Sequence, residues 1–114
     1  MNYSIILDES FEKEVKRLSK RYHSLKADLM DLKEDIEANP HLGTDLGGGL
    51  RKIRMRITSK GKGKSGGARV ITFTVVAAVD ETEINLLYIY DKAERSTITR
   101  AEINELLRKN GLIK

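Results

Sequence analysis

The sequence predicts an α+β fold with a short N-terminal strand, a helical hairpin, a mainly antiparallel curved sheet of about four strands and a C-terminal helix. Three observations predict this class. Apolar residues recur at helical spacing in the first third of the chain, alternate with cations near its middle, and follow a helix-capping sequence near its end. Helical and strand patterns are therefore grouped along the chain, as is typical of α+β proteins. The length of 114 residues predicts a single domain over residues 1–114.

The first elements are a strand and two helices. Asn2 to Leu7 is a short apolar run that predicts a strand, and Asp8 or Ser10 is suited to cap the helix that follows. Apolar residues recur at helical spacing along that helix, at Phe11, Val15, Leu18 and Tyr22. A second stripe comprises Leu25, Leu29, Leu32 and Ile36, before Asn39 and Pro40 end the helix. We expect a helical hairpin whose two stripes face the sheet.

The period then changes from helical to alternating. Arg51 to Thr58 predicts a strand after the glycine turn at residues 47–49. Its apolar side chains would face the helices, and these are Ile53, Met55 and Ile57. Its cations would share the opposite face, and these are Lys52, Arg54 and Arg56.

The remaining elements are two strands and a helix. Ala68 to Ala78 and Glu83 to Tyr90 predict two strands, with a hairpin turn at residues 80–82. The last helix runs from about Arg100 to Lys109, because Thr99 and Glu102 form a capping-box sequence before it. Gly111 then closes the helix.

The charge is strongly segregated along the chain. Net charge is +4, from 21 basic and 17 acidic residues, yet residues 46–79 contain no Asp or Glu. The basic residues of this central segment are Arg51, Lys52, Arg54, Arg56, Lys60, Lys62, Lys64 and Arg69. A positive field maintained against its own repulsion is typical of a surface that binds a polyanion, and nucleic acid is the first to consider.

Several other functional classes are excluded. The chain has no cysteine and only two histidines, so we expect no disulfide, no metal site and no cofactor. His23 and His41 have acidic neighbours in sequence and are expected at the surface. The N-terminal apolar run is too short for a signal peptide or a membrane span, which predicts a cytoplasmic protein without membrane contact.

The loop after the basic strand carries two motif matches that we reject. Gly61, Gly63 and Gly66 satisfy G-x-G-x-x-G, and Gly63-Lys64-Ser65 imitates the end of a phosphate-binding loop. Both motifs require a helix to follow, and here β-branched residues follow instead. Two readings of the loop stay open: a solvated hairpin loop, or a basic flap whose Lys60, Lys62 and Lys64 contact a phosphate backbone.

Two glycine-punctuated segments carry a resemblance to a known family. Leu42 to Arg54 and Gly61 to Ile71 resemble the signature of HigB-type toxins in the RelE/ParE superfamily of bacterial toxin-antitoxin systems. The resemblance implies a ribosome-dependent endoribonuclease that cuts mRNA in the decoding site. It also implies a helix-turn-helix antitoxin as partner and a toxin-antitoxin complex on operator DNA.

The resemblance also suggests site residues. Cleavage without a metal requires deprotonation of the 2′-hydroxyl, neutralisation of the phosphorane and protonation of the leaving oxygen. Matched basic positions imply a catalytic set of Lys52, Arg54, Arg69 and Lys92, with guanidinium groups holding the phosphate. The expected RNA-binding set is Arg56, Lys60, Lys62, Lys64, Tyr90 and Arg95.

The chain departs from well-studied RelE members at two positions, which leaves the general base unassigned. Ala93 replaces an Arg, and Thr99 replaces a catalytic Tyr. Tyr88 and Tyr90 are substitutes that could stack on a base or ionise near cations, although packing in a sheet face is the favoured explanation for both. Two further functions stay open: a ParE-like gyrase inhibitor, and a catalytically decayed protein that only binds its antitoxin. The basic strand could also be a solvated face or a docking surface for an acidic antitoxin segment.

Overall fold

The computed structural model describes residues 2–114 and confirms the α+β class. The strands are β1 (Asn2–Leu7), β2 (Thr44–Gly47), β3 (Leu50–Met55), β4 (Ala68–Ala78) and β5 (Glu81–Asp91). The helices are α1 (Glu9–Arg21), α2 (Leu25–Ala38) and α3 (Arg100–Lys109), and a turn of 3-10 helix spans Thr58–Lys60. No helix in this described range has the length and apolar content needed to cross a bilayer.

All five strands form one sheet in the order β1-β5-β4-β3-β2. β1 pairs in parallel with β5, and the other neighbours pair antiparallel. The sheet has one strand more than the four predicted, because the short β2 pairs with the start of β3. Its four residues include Thr, Asp and Gly without apolar alternation, so only this pairing makes the segment a strand.

The two faces of the sheet carry separate cores. The face under the helical hairpin packs Phe11, Leu18, Leu32 and Ile36 against strand residues that include Ile53 and Met55. The predicted inward direction of Ile53, Met55 and Ile57 is confirmed, since all three are buried in this cluster. The opposite face packs a smaller cluster under α3: Leu50, Ile71, Leu87, Tyr90, Ile103 and Leu107.

The predicted strand over residues 51–58 was too long. β3 ends at Met55, because Asp28 of α2 binds the next segment through the Thr58 backbone N–H at 2.9 Å and the Thr58 hydroxyl at 2.5 Å. Arg56 therefore lies beyond the strand, and its place on a shared cationic face does not follow from alternation. Gly67 packs against this point so closely that a Cβ there would lie 2.1 Å from the Met55 carbonyl oxygen.

Other predicted boundaries were nearly correct. β5 begins at Glu81 rather than Glu83, because Glu81 pairs with both β4 and β1, so the hairpin turn falls at residues 79–80. α3 has the predicted bounds, and both hydrogen bonds of the Thr99 and Glu102 capping box are present. Asp8 is the N-cap of α1, but its side chain makes no capping hydrogen bond.

Candidate nucleic-acid interface

Two rows of side chains cross the sheet on the α3 face. Arg54 of β3 lies opposite Arg69 of β4, which lies opposite Tyr90 of β5. Directly opposed residues of antiparallel strands point to the same face with their Cβ atoms about 5 Å apart. A second, parallel row contains Lys52, Ile71 and Tyr88. The pairing register therefore places Lys52, Arg54 and Arg69, predicted from separate strands, within one patch.

Arg69 is a buried cation at the centre of this patch. Its side chain is 6% exposed, and the guanidinium donates to the carbonyl oxygens of Lys64 at 3.0 Å, Ala68 at 3.1 Å and Ser65 at 3.3 Å. Burial lowers the pKa of Arg69, and the positive charge of Arg54 lowers it further. No carboxylate within residues 2–114 pairs with this guanidinium. Because a buried charge is costly without a counter-ion, the position favours an external anion.

Arg54 is the exposed member of the same row. It forms neither a salt bridge nor a hydrogen bond with other residues of the described chain, and its side chain is accessible to solvent. Lys52, in the adjacent row, is half-buried. A mobile guanidinium beside a fixed one is suited to bind a phosphate from two directions.

Tyr90 packs in the protein rather than presenting a ring to solvent. It is 2% exposed, and its hydroxyl has no hydrogen-bond partner among residues 2–114. The Arg95 guanidinium carbon lies 5.6 Å from the ring centroid. Burial raises the pKa of Tyr90 despite the opposing charges of Arg69 and Arg95. In this conformation the ring is covered and burial favours the protonated hydroxyl, so an RNA contact by Tyr90 stays a prediction.

Lys92 and Arg95 follow β5 and bind their own segment. The Lys92 Nζ donates to the Ser96 carbonyl oxygen at 2.7 Å, and the Lys92 backbone N–H donates to the Gly67 carbonyl oxygen at 3.0 Å. Arg95 pairs with the Glu102 carboxylate, whose hydrogen bond raises the pKa of Arg95. Lys92 lies next to the end of the basic loop, and both cations must exchange an internal partner to bind RNA.

Lys60 is a structural cation. Its Nζ lies 2.7 Å from Asp91 Oδ1, and the two side chains are 8% and 0% exposed. The Tyr22 hydroxyl donates to Asp91 Oδ2 at 2.5 Å, and the Ala93 backbone N–H donates to Oδ1 at 2.9 Å. Burial acts to raise the pKa of Asp91, but these hydrogen bonds together outweigh it and hold that pKa below the usual range. In this conformation the Lys60 ammonium group is paired with Asp91, so a contact of Lys60 with RNA stays a prediction.

The rest of the loop is exposed between two fixed ends. Lys60 holds its start and Arg69 holds its end, whereas Lys62 and Lys64 are exposed between them. The segment leads from glycines in left-handed conformation directly into β4 and not into a helix, as the rejected nucleotide motifs require. Both interpretations of the loop stay open, because exposed Lys62 and Lys64 fit a solvated loop as well as a basic flap.

Carboxylates of α2 lie beside the cations of β3, on the other side of a shared cavity. A cavity of about 410 Å³ is lined on one side by Lys52, Arg54, Arg56 and Lys64. Asp31 and Asp35 of α2 line the other side. Repulsion from these carboxylates directs a polyanion away from α2 and toward the two rows.

Sequence reasoning missed three residues that organise this region: Tyr22, Asp28 and Asp91. Tyr22 and Asp28 belong to the helical hairpin, and Asp91 ends β5. No local pattern identifies them, because each acts on a segment at least 30 positions away. His23 and His41 are exposed, as predicted.

Comparison with known protein families gives a match over most of the chain. The family described as RelE toxin of the RelE / RelB toxin-antitoxin system matches residues 9–111. The matched range begins in α1 and ends just after α3, so it includes both rows and the basic loop.

Proposed function

This chain belongs to the RelE toxin family of toxin-antitoxin systems, and we propose that it is a ribosome-dependent endoribonuclease that cleaves mRNA in the decoding site and thereby stops translation. Toxins of this family are generally endoribonucleases and pair with an antitoxin. The observation that carries the proposal for this chain is Arg69, a buried guanidinium without a carboxylate partner in the described residues, directly opposite the exposed Arg54. Ribosomes and their messengers would place the activity in the cytoplasm.

We assign different roles to the cations according to their surroundings. Arg69 is held rigidly by loop carbonyls, so it supplies a preorganised positive charge for the phosphorane. Arg54 closes on the phosphate from the solvent side. Preorganised donors stabilise the transition state without reorganisation during the reaction. Their alignment by the β3 and β4 register explains why two strands are needed for one phosphate site.

We assign proton transfer to Lys52 and Tyr90, which belong to the same two rows. Lys52 lies one row from Arg54, where its ammonium group is suited to donate a proton to the leaving 5′-oxygen. The Tyr90 hydroxyl, which lacks a partner in the described chain, is suited to donate once a movement of Arg95 off the ring uncovers it. Lys92, Arg56, Lys62 and Lys64 supplement the charge along the messenger.

Within the family, we propose the HigB-type branch and a helix-turn-helix antitoxin as partner. Support comes from the two glycine-punctuated segments, which now have structural reasons. A Cβ at Gly43 would lie 2.7 Å from the Lys52 carbonyl oxygen, and Gly67 has no room for a Cβ beside Met55. Both glycines therefore preserve the backbone around the cationic strand.

The experiment compares cleavage of a defined mRNA on programmed bacterial ribosomes with cleavage of the same naked RNA, mapped by primer extension. We expect cuts in the decoding site only on the ribosome, and loss of these cuts in Arg54→Ala. The control is Lys13→Ala, which removes an exposed cation of α1. Cleavage by Arg54→Ala at the wild-type rate would remove the site assignment. No cuts by the wild type, together with inhibited gyrase supercoiling, would instead support a ParE-like function.

A further inference from the structure

An exposed apolar groove lies on the other side of the molecule from the two rows. Its cavity of about 670 Å³ is formed by β1, α1 and α2. The floor is apolar and includes Phe11, Val15 and Leu29. Leu7 and Met30 line the groove while remaining 50% and 69% exposed. Large apolar side chains that share one concave surface indicate a binding surface, unlike isolated exposed ones.

The rim of this groove is positively charged. Its four lysines are Lys16, Lys20, Lys26 and Lys33, and Glu12 is the one acidic lining residue. All four lysines are exposed, and none forms a salt bridge with any residue in the 2–114 range. The residues before position 46 nevertheless carry seven basic and ten acidic side chains, so the positive rim runs against the local net charge.

The opposite charges of this region lie on the other side of α2. Asp31 and Asp35 line the cavity beside the cationic strand, whereas Lys26 and Lys33 line the groove. One helix therefore separates an acidic surface that borders the proposed RNA site from a basic surface that borders the apolar groove. An acidic partner would be repelled from the first surface and attracted to the second.

The groove is also continuous with an open sheet edge. β1 is the terminal strand of the sheet and pairs only with β5 among the described strands. Tyr3 alternates in register with Ile5 and Leu7 and is 40% exposed, which extends the apolar surface along this strand. The surface is therefore an elongated apolar channel with lysines on its borders.

We propose that this groove is the docking surface for the antitoxin, and that the antitoxin segment that occupies it is amphipathic, with apolar residues on one side and Asp or Glu on the other. The proposal rests on the toxin function of the family, which implies an antitoxin partner. Apolar contact with Leu7 and Met30 supplies the buried core, and carboxylates that meet the four lysines supply orientation and association rate. The antitoxin can then bind without contacting the cations of the two rows.

The test measures binding of the cognate antitoxin to toxin variants, by calorimetry at low and at high salt. Lys26→Glu with Lys33→Glu should weaken binding at least tenfold at low salt and less at high salt. Met30→Glu should weaken binding about tenfold or more at both salt concentrations. Matched controls are Lys13→Glu, an exposed α1 lysine outside the groove, and Val79→Glu, an apolar residue that is 90% exposed in the β4–β5 turn.

Two readouts distinguish this inference from the proposed function. All four variants should cleave mRNA on ribosomes at the wild-type rate when no antitoxin is present, since none alters the two rows. A photo-crosslinking residue at position 30, but not at position 79, should attach to an antitoxin segment rich in Asp and Glu. Unchanged antitoxin affinity in the groove variants would overturn the proposal even if the toxin cleaves mRNA. A wild-type dimer that dissociates in Met30→Glu would also overturn it, because a second copy would then occupy the groove.

Discussion

Arg54 and Lys60 lie six residues apart in the same segment without acidic residues, yet the fold gives them opposite surroundings. Lys60 is buried in an ion pair with Asp91, whereas Arg54 is exposed and has no counter-ion within residues 2–114. The sequence alone does not distinguish these two positive charges. The comparison teaches that a basic residue becomes structural or ligand-binding according to whether the fold supplies it with a carboxylate.

The largest effect on stability should come from Lys60, the cation that is paired with Asp91. Lys60→Met leaves Asp91 buried without its counter-ion, which should lower the free energy of unfolding by about 3 to 5 kcal/mol. Urea denaturation of the purified variant measures this loss. Lys62→Met is the matched control, and as an exposed position it should change stability by no more than about 0.5 kcal/mol. Equal denaturation midpoints for the two variants would mean that the ion pair contributes nothing.

Arg54 should show the reverse, with a large effect on cleavage and a small effect on stability. Arg54→Ala should reduce ribosome-dependent cleavage about 10²- to 10³-fold, as for removal of one transition-state donor. Its stability should stay within about 0.5 kcal/mol of wild type, because the side chain is exposed. Single-turnover cleavage and urea denaturation of one preparation test both expectations. A destabilised Arg54→Ala protein would show that the two cations differ less than their surroundings suggest.

Asp8 offers a third case, a buried charge of the opposite sign. Its Oδ2 is buried without a hydrogen-bond partner in the described chain, and burial raises the pKa of Asp8 from 3.8 to about 6. Between these pH values the folded state binds more protons than the unfolded state, so this carboxyl lowers the free energy of unfolding as the pH rises. Asp8→Asn should therefore gain stability relative to wild type as the pH rises from about 4 to about 7.

Denaturation of both proteins across this pH range measures the difference. A constant offset between Asp8→Asn and wild type would show that the Asp8 carboxyl does not titrate in the folded protein within this range.

The smallest effects should be those of Lys62 and Lys64, the exposed lysines of the basic loop, on ribosome binding. Lys62→Ala and Lys64→Ala each remove one exposed charge, so each should weaken association with the programmed ribosome only a few-fold. The dependence of binding on salt concentration should become shallower in the double variant. Filter binding at several salt concentrations tests this. A loss as large as that of Arg54→Ala would place these lysines in the catalytic site rather than along the RNA path.

Most elements of the fold could be predicted from local patterns. The bounds of β1, β4 and α3 agree with the sequence prediction, because alternation, helical spacing and capping are properties of neighbouring residues. The errors fell where distant residues decide the outcome. Asp28 ended β3 early by binding Thr58, and the start of β3 made β2 a strand by pairing with it.

The candidate site also combines features that local sequence determines with features that distant residues determine. The sequence alone determined that the positive charge is concentrated in one segment and that Lys52 and Arg54 share a strand face with alternating apolar residues. Only the tertiary structure decided that Arg69 and Tyr90 complete a row with Arg54, and that Lys60 belongs to Asp91 and Tyr22. The physical reason is that side-chain direction follows from local backbone geometry, whereas burial and counter-ions come from segments far away in the chain.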